Sequence, residues 1–193
     1  SGNDASVVLA EAVGGTLENF VAMMNRQGQA WGLKNTQFKN VTGLTEAGHQ
    51  SSARDVAVIA SKIITEHPTF YPLYSIRQYT FNNIKQPNRN PLLQAGVPGV
   101  DGMKTGYTKE AGYGLVASAE RDGRRLVTVI AGLDKIRERR SEAELIREAL
   151  QVAVDSRLGR RPRFPLTGRA LGAAVADRVG LTPANVAVLK NGR

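Results

Sequence analysis

Residues 100–133 read VDGMKTGYTKEAGYGLVASAERDGRRLVTVIAGL and alternate extended runs with turn residues. Residues 113–120 and 125–132 are strand-like runs. Between them, Arg-Asp-Gly-Arg at 121–124 contains Asp-Gly, a strong short-range signal for a tight hairpin. With residues 99–107 before them, these runs predict three successive antiparallel strands.

Helical patterns precede the predicted sheet. Residues 4–13 and 16–24 predict two short helices separated by a Gly-Gly pair. Residues 51–64 predict a third helix, which a capping box begins because Asp55 follows Ser52 by three residues. The apolar positions that share one face of this third helix are Val56, Ile59, Ala60 and Ile63.

A further helix is predicted after the sheet, over residues 141–154, with Ser141 and Glu144 as its capping pair. Between the helices and the sheet, prolines and asparagines interrupt the chain and leave one strand, at residues 77–81. Helices that cover a mainly antiparallel sheet predict an α+β fold and not a doubly wound one.

The positive charge of the chain is unevenly distributed. Of the net charge of +9, the part from residue 156 onward holds +7, as seven arginines and one lysine against one aspartate. We therefore predict a domain over residues 1–155, incomplete at its N-terminus. Residues 156–193 are predicted to be a basic linker and the start of a second, incomplete module. The basic tail has no aromatic platform beside it, so we predict no nucleic-acid partner.

The composition argues against several kinds of site. The chain has no cysteine and two histidines, so neither a thiolate nor a histidine-rich metal centre is expected, and we predict no metal or other cofactor. No apolar run approaches the roughly 18 residues of a membrane span. Because the chain begins Ser-Gly-Asn without a methionine, we expect that a preceding segment was removed or not included.

Lys104 lies between two glycines in the first predicted strand. Glycine inside a strand marks a place where another backbone or a ligand comes close. Strict alternation places Gly102, Lys104 and Gly106 on one face of that strand. Lys104 is then either a surface lysine that discourages edge-to-edge pairing or a cation that meets a substrate pairing with the strand.

The combination of motifs favours the second interpretation. Penicillin-binding proteins and class A β-lactamases join a Ser-x-x-Lys nucleophile, a Ser-x-Asn triplet and Lys-Thr-Gly. Ser1-Gly2-Asn3 and Lys104-Thr105-Gly106 supply two of the three in the right order. Over about residues 1–150 the chain closely resembles low-molecular-weight penicillin-binding proteins that act as D-alanyl-D-alanine carboxypeptidases. The stretches that carry this resemblance are LKNTQFKNVTGL, SSARDVAVIA, PNRNPLL and residues 100–133.

The resemblance implies a sheet flanked by helices, with the active site between the sheet edge and a helical lobe. It implies three catalytic residues. Ser1 relays protons towards the leaving amine, and Asn3 holds the peptide carbonyl of the substrate. Lys104 hydrogen-bonds Ser1 and provides positive potential, in acid–base chemistry that requires a donor of tuned pKa within about 3 Å of the moving proton.

Four substrate-binding residues follow from the same resemblance. Thr105 binds the terminal carboxylate of D-alanine, and Gly106 allows close approach of the substrate. The backbone N–H of Tyr107 contributes to the oxyanion hole. Arg139, after the third strand, also steers the carboxylate, although a solvated cluster with Arg137 and Arg140 is the alternative. For Ser1 and Asn3, the alternative role is capping of the first helix.

The sequence departs from the family pattern at the nucleophile, because its 193 residues contain no Ser-x-x-Lys tetrad. We predict that an upstream segment carries the acylating serine and that the chain alone is inactive. The full protein is then a serine carboxypeptidase that removes the terminal D-alanine of peptidoglycan stem peptides and is acylated by β-lactams. Such substrates imply a periplasmic or other extracytoplasmic location, and a C-terminal region outside the sequence is a possible membrane anchor.

Three alternative functions remain open on the sequence. A non-catalytic peptidoglycan or β-lactam binding module would keep the edge strand and Thr105 without acylation. An N-terminal nucleophile hydrolase would use Ser1 and its own amine, but would leave Lys104 without a role. A β-lactamase or glutaminase is a nearer neighbour, and the PNRNPLL stretch favours the carboxypeptidases over it.

Overall fold

The computed structural model describes residues 2–121, 123–133 and 186–190, the last as backbone. Three helices precede the sheet, and a short 3₁₀ helix, a hairpin and a one-turn helix connect them to it. The elements before the sheet are α1 (Asn3–Gly14), α2 (Leu17–Ala30), α3 (Ala53–Glu66), the 3₁₀ helix (Tyr71–Ser75), β1 (Gln78–Phe81), β2 (Ile84–Pro87) and α4 (Pro91–Gln94). The strands of the main sheet are β3 (Val100–Thr108), β4 (Gly112–Arg121), β5 (Arg124–Leu133) and β6 (Val186–Lys190).

The main sheet is antiparallel throughout and has the order β3-β4-β5-β6. The three successive strands predicted from residues 99–133 are confirmed, and so is the α+β fold. Within the described part of the chain, β3 has a strand neighbour on one side only, so it is an edge strand. Lys104 pairs with Val116 of β4 in this register.

The fourth strand was not predicted as part of this sheet. Val186–Lys190 pairs with β5 although more than fifty residues separate the two strands in the sequence. A long connection of this kind leaves no local signal in the sequence. The division of the chain at residue 155 stays a prediction, and the predicted helix at 141–154 lies outside the described residues.

Helix α3 packs against the sheet and begins where the sequence predicts, since the Ser52 side chain accepts a hydrogen bond from the Asp55 backbone at 3.1 Å. The predicted face is confirmed at Ala60, which is buried, and at Val56 and Ile63, which pack against buried residues, but the prediction omitted the other buried alanines of the same helix. Ala57 is fully buried, whereas Val56 is half-buried. The buried positions of the helix are Ala53, Asp55, Ala57 and Ala60. The small side chains of the alanines let the helix approach Val129 and its neighbours closely.

The hairpin β1–β2 is exposed along both strands. The strand predicted at 77–81 is confirmed as β1, but β2 was missed. The sequence signal for β2 is the pair Asn82-Asn83, which forms the turn. Both residues adopt positive φ angles, of 46° and 61°, as a two-residue hairpin turn requires. In the described residues no single helix could cross a membrane by length and composition; α1 and α2 qualify only together, and an 84° bend separates them.

Candidate active site

The first half of β3 is held by contacts within the protein. A Cβ atom at Gly102 would lie 2.7 Å from the hydroxyl of Tyr71, which is itself 6% exposed. That hydroxyl donates to Asp101 at 3.0 Å. Asn90, which is 1% exposed, donates its side-chain amide to the Gly102 carbonyl at 2.9 Å. The sequence predicts that a backbone or a ligand comes close to the strand at the glycines on either side of Lys104. At Gly102 the group that comes close is part of the protein, the side chain of Tyr71.

An ion-pair network reinforces this half of the strand. Arg125 of β5 reaches Asp101 at 2.8 Å and Glu120 at 2.6 Å, and it donates to the buried Ser118 hydroxyl at 2.7 Å. Its guanidinium also lies over the Tyr71 ring, 5.2 Å from the centroid. Burial raises the pKa of Tyr71, so the phenol keeps its proton and donates to Asp101.

The second half of β3 is open. A Cβ atom at Gly106 would meet no atom within 4 Å. A cleft of about 700 Å³ runs along this half of the strand, from the start of α1 to the β3–β4 turn. The predicted site residues that line this cleft are Asn3, Lys104, Thr105, Gly106 and Tyr107. Two motifs a hundred residues apart in sequence thus meet in one cleft. Ser1 and Arg139 lie outside the described residues.

Asn3 does not cap the first helix. The capping position is Gly2, and Asn3 is the first residue of α1. The position of Asn3 in the cleft lining is consistent with a role towards a ligand. A second cleft, described below, adjoins this one. His49 and His67 line neither of the two clefts, so the described geometry gives them no part in the site.

Lys104 is a titratable residue in the lining of the cleft. Its ammonium donates to the Thr105 carbonyl. Although the residue as a whole is exposed, protein around the ammonium partly excludes water and lowers the pKa of Lys104. The nearby positive charge of Arg89 lowers it further. A lysine of reduced pKa can give and take a proton more readily than an ordinary surface lysine.

Sequence reasoning did not single out Arg89, which lines the cleft beside Lys104. A second cleft, of about 550 Å³, meets the first at Arg89, Lys104 and Thr105. The neighbours of Arg89 are fixed, since Asn88 donates to the Ile76 carbonyl at 2.9 Å and accepts from the Asn90 backbone at 2.9 Å. The available signal was an arginine between two asparagines in PNRNPLL.

A loop that follows α2 also lines the cleft, through Thr42, Gly43 and Leu44. Within this loop, Asn40 donates to the Leu44 carbonyl at 3.0 Å and accepts from the Gly43 backbone at 2.8 Å. Thr45 donates to Glu110 in the β3–β4 turn at 2.7 Å, and this hydrogen bond lowers the pKa of Glu110. The loop is thereby tied to the far end of β3, and Leu44 faces the cleft from it.

The described residues contain no cluster of three or more His, Asp or Glu side chains that could hold a metal ion. The lining of the cleft supplies a lysine, an arginine, threonines and an asparagine. These side chains and the exposed strand edge suit the recognition of a peptide with a terminal carboxylate.

Comparison with known proteins gives consistent matches. The profile of the family described as D-alanyl-D-alanine carboxypeptidase, peptidase S11, matches residues 1–135. The D-alanyl-D-alanine carboxypeptidase DacA of Haemophilus influenzae is 48% identical over 145 residues, which are 75% of this chain and 37% of that protein. The chain thus spans less than half the length of this relative.

Two solved structures have similar folds. Penicillin-binding protein 5 from Haemophilus influenzae is 50% identical and gives a TM-score of 0.67, over 69% of this chain and 39% of that one. The ampicillin-bound form of penicillin-binding protein D2 from Listeria monocytogenes is 32% identical, with a TM-score of 0.68, over 77% of this chain and 61% of that one. On the profile match and these similarities, the chain belongs to the D-alanyl-D-alanine carboxypeptidase family.

Proposed function

We propose that the whole protein is a serine-type D-Ala-D-Ala carboxypeptidase that removes the terminal D-alanine from peptidoglycan stem peptides. The observation that carries this proposal is the meeting of Asn3 with Lys104, Thr105 and Gly106 in one cleft beside an edge strand. A serine hydrolase of this family uses these residue types together, and the Haemophilus influenzae relative DacA is named for this activity.

The proposed substrate pairs with the open half of β3. Its terminal carboxylate accepts a hydrogen bond from the Thr105 hydroxyl and meets the positive charge of Arg139. Arg89 and Lys104 add two cations at the place where the two clefts meet. The free space at Gly106 admits the substrate backbone, and charge-assisted contacts fix the scissile bond relative to the catalytic groups.

In the proposed reaction a serine oxygen attacks the carbonyl of the penultimate D-alanine, and its hydroxyl proton enters the relay that ends at the nitrogen of the leaving D-alanine. The backbone N–H of Tyr107 stabilises the oxyanion, while Asn3 holds the peptide carbonyl on the amino side. Lys104 and Ser1 pass a proton to the nitrogen of the departing D-alanine, so the C–N bond breaks and an acyl-enzyme forms. Water then hydrolyses the ester and regenerates the serine.

The acylating serine in this proposal lies outside the 193 residues, since they contain no Ser-x-x-Lys tetrad. We use the term acylating form for these residues together with the segment that supplies that serine. Residues 1–155 are the proposed catalytic domain in that form. Peptidoglycan as substrate places the proposed activity in the extracytoplasmic cell envelope, and a C-terminal membrane anchor outside the sequence remains part of the proposal.

β-lactams are the second class of ligand that we propose for the cleft. Their strained amide and neighbouring carboxylate present the same two groups as a D-Ala-D-Ala terminus, so the same contacts apply. The Listeria monocytogenes relative has been solved in forms with ampicillin and with cefotaxime bound. A ligand of this class would form a stable ester with the serine.

The test is release of free D-alanine from a D-Ala-D-Ala peptide by the acylating form, followed by intact-mass analysis after exposure to benzylpenicillin. We expect catalytic release and a single covalent adduct. The absence of Ser-x-x-Lys favours one second candidate, a non-catalytic peptidoglycan or β-lactam binding module. Reversible, competitive binding of the peptide with neither D-alanine release nor an adduct would support that candidate and contradict the carboxypeptidase.

A further inference from the structure

Two tyrosine rings stack at the end of the cleft that lies beyond Gly106. Tyr107 of β3 and Tyr113 of β4 are direct register partners, and their rings are 4.2 Å apart between centroids with an angle of 30° between planes. Both residues line the same cleft as Lys104. Tyr107 remains 58% exposed, so Tyr113 supports its ring without covering it.

A second apolar side chain in the lining of this cleft comes from the loop that follows α2. Leu44 lines the cleft and is 56% exposed, and the hydrogen bond from Thr45 to Glu110 holds its loop near the β3–β4 turn. The charged residues among the described lining are Arg89 and Lys104, which lie where the second cleft joins the first. The first cleft is therefore cationic at one end and apolar at the other.

This polarity orients a ligand. A terminal carboxylate belongs at the cationic end, near Thr105. Because a strand rises roughly 3.3 Å per residue, Tyr107 lies about 7 Å further along β3, opposite the group that precedes D-Ala-D-Ala in a paired peptide. In a β-lactam the corresponding group is the acyl side chain.

We propose that the ring of Tyr107, supported by Tyr113, forms together with Leu44 of the same cleft a subsite for an apolar or aromatic group on the amino side of the ligand. This subsite rests on the proposed function and adds to it a preference among substrates. An aromatic face backed by a second ring favours offset or edge-to-face contact with a planar group, and such a contact adds to the burial of apolar surface. Tyr107 is then a specificity residue through its side chain as well as an oxyanion donor through its backbone.

The experiment compares two penicillins on the acylating form. Benzylpenicillin carries a phenylacetyl group, and its acetamido analogue has a hydrogen in place of the phenyl ring, so the nucleus, the carboxylate and the amide are unchanged. The measured quantity is the ratio of the two second-order acylation rate constants. We expect Tyr107→Ala to lower this ratio by about 3- to 10-fold, the size of one aromatic contact.

Two variants serve as controls. Tyr107→Phe keeps the ring and is expected to keep the ratio. Phe81→Ala removes an aromatic side chain of matching exposure, 59%, which lines neither cleft, and should leave the ratio at its parent value. Leu44→Ala is not a control but a second test of the subsite. Like Tyr107→Ala, it should lower the ratio of the two rate constants.

An equal loss for both penicillins in Tyr107→Ala would overturn the subsite, and so would a Tyr107→Phe ratio as low as that of Tyr107→Ala. If the parent acylating form reacts with neither penicillin, the proposed function fails and the subsite fails with it. If the parent reacts and the ratio is insensitive to Tyr107, the subsite alone is wrong.

Discussion

The two halves of β3 differ in what surrounds their glycines. At Gly102 the protein fills the available space, since the Tyr71 hydroxyl occupies the position of a side chain and Asn90 binds the carbonyl. At Gly106 the space is empty, and the strand borders the cleft. The same residue type in one strand thus permits internal packing at one position and external access at the other.

The difference indicates that the two halves of the nine-residue strand β3 have separate roles. Tyr71 and Arg125 both contact Asp101 of β3, and these contacts fix the first half of the strand at the sheet edge. The second half can then present Lys104 and Thr105 at a fixed position while its outer edge stays available. A change in the first half is expected to alter stability, and a change in the second half is expected to alter the chemistry.

Lys104→Ala gives the largest expected effect and acts in the open half. General acid–base groups contribute about 10²- to 10⁴-fold to a rate, so penicillin acylation of the acylating form should fall by that order. The free energy of unfolding should change by no more than about 0.5 kcal/mol, because the residue is exposed. Acylation at the parent rate would remove Lys104 from the catalytic residues.

Arg139→Ala tests whether Arg139, which lies outside the described residues, binds the terminal carboxylate of the substrate together with Thr105. Both proposed contacts are hydrogen bonds to an ionised carboxylate, worth about 1.5 to 3 kcal/mol each, but a guanidinium adds a full positive charge and can bind both carboxylate oxygens, whereas the Thr105 hydroxyl makes one bond. We expect kcat/KM for a D-Ala-D-Ala peptide to fall further in Arg139→Ala than in Thr105→Val, and the Arg139→Ala defect to shrink for a peptide with an amidated C-terminus.

Arg137→Ala and Arg140→Ala are the controls for that experiment, since they change the charge equally at neighbouring positions. Equal, salt-sensitive losses in all three arginine variants would mean that the arginines act as a general positive field. Arg139 would then have no specific place in the site.

Arg89→Gln gives the smallest expected effect and tests the electrostatic coupling between Arg89 and Lys104. Burial and the positive charge of Arg89 both lower the pKa of Lys104, so its ammonium is lost at a lower pH than in an exposed lysine. Chemistry that needs the ammonium then declines on an alkaline limb below the usual lysine range. Removing the like charge favours the ammonium, so this limb should move to higher pH in the pH profile of acylation.

Lys85→Gln is the matched control for that profile, because it removes one positive charge from the same segment at an exposed position outside both clefts. Its alkaline limb should coincide with that of the parent. A limb that stays in place in Arg89→Gln, or moves to lower pH, would contradict the electrostatic coupling of Arg89 to Lys104.

Local sequence patterns were sufficient for the elements that depend on local signals. The Asp-Gly turn between β4 and β5 and the Ser52 cap of α3 were both predicted. Long-range partners were not predictable in this way. The Tyr71 hydroxyl reaches Asp101 thirty residues away, and β6 joins β5 across an even longer separation, so neither contact leaves a periodic signal.

The candidate site shows the same limit. Lys104, Thr105 and Asn3 were found because their motifs carry chemistry, whereas Arg89 was missed because a single arginine in a loop has no such pattern. The separate roles of Gly102 and Gly106 were not predictable either. A glycine in a strand indicates a close approach, but the sequence does not say whether the approaching group is the protein or a ligand.

Gly102→Ala and Gly106→Ala of the acylating form separate the two halves of β3 when thermal unfolding and penicillin acylation are both measured. A methyl group at Gly102 meets the Tyr71 hydroxyl at 2.7 Å, so we expect a loss of about 1 to 3 kcal/mol in stability with near-parent acylation per folded molecule. A methyl group at Gly106 meets nothing within 4 Å, so stability should stay within about 0.5 kcal/mol while acylation falls. Equal stability losses in the two variants, or parent-rate acylation in Gly106→Ala, would contradict the division of β3 into an anchored half and an open half.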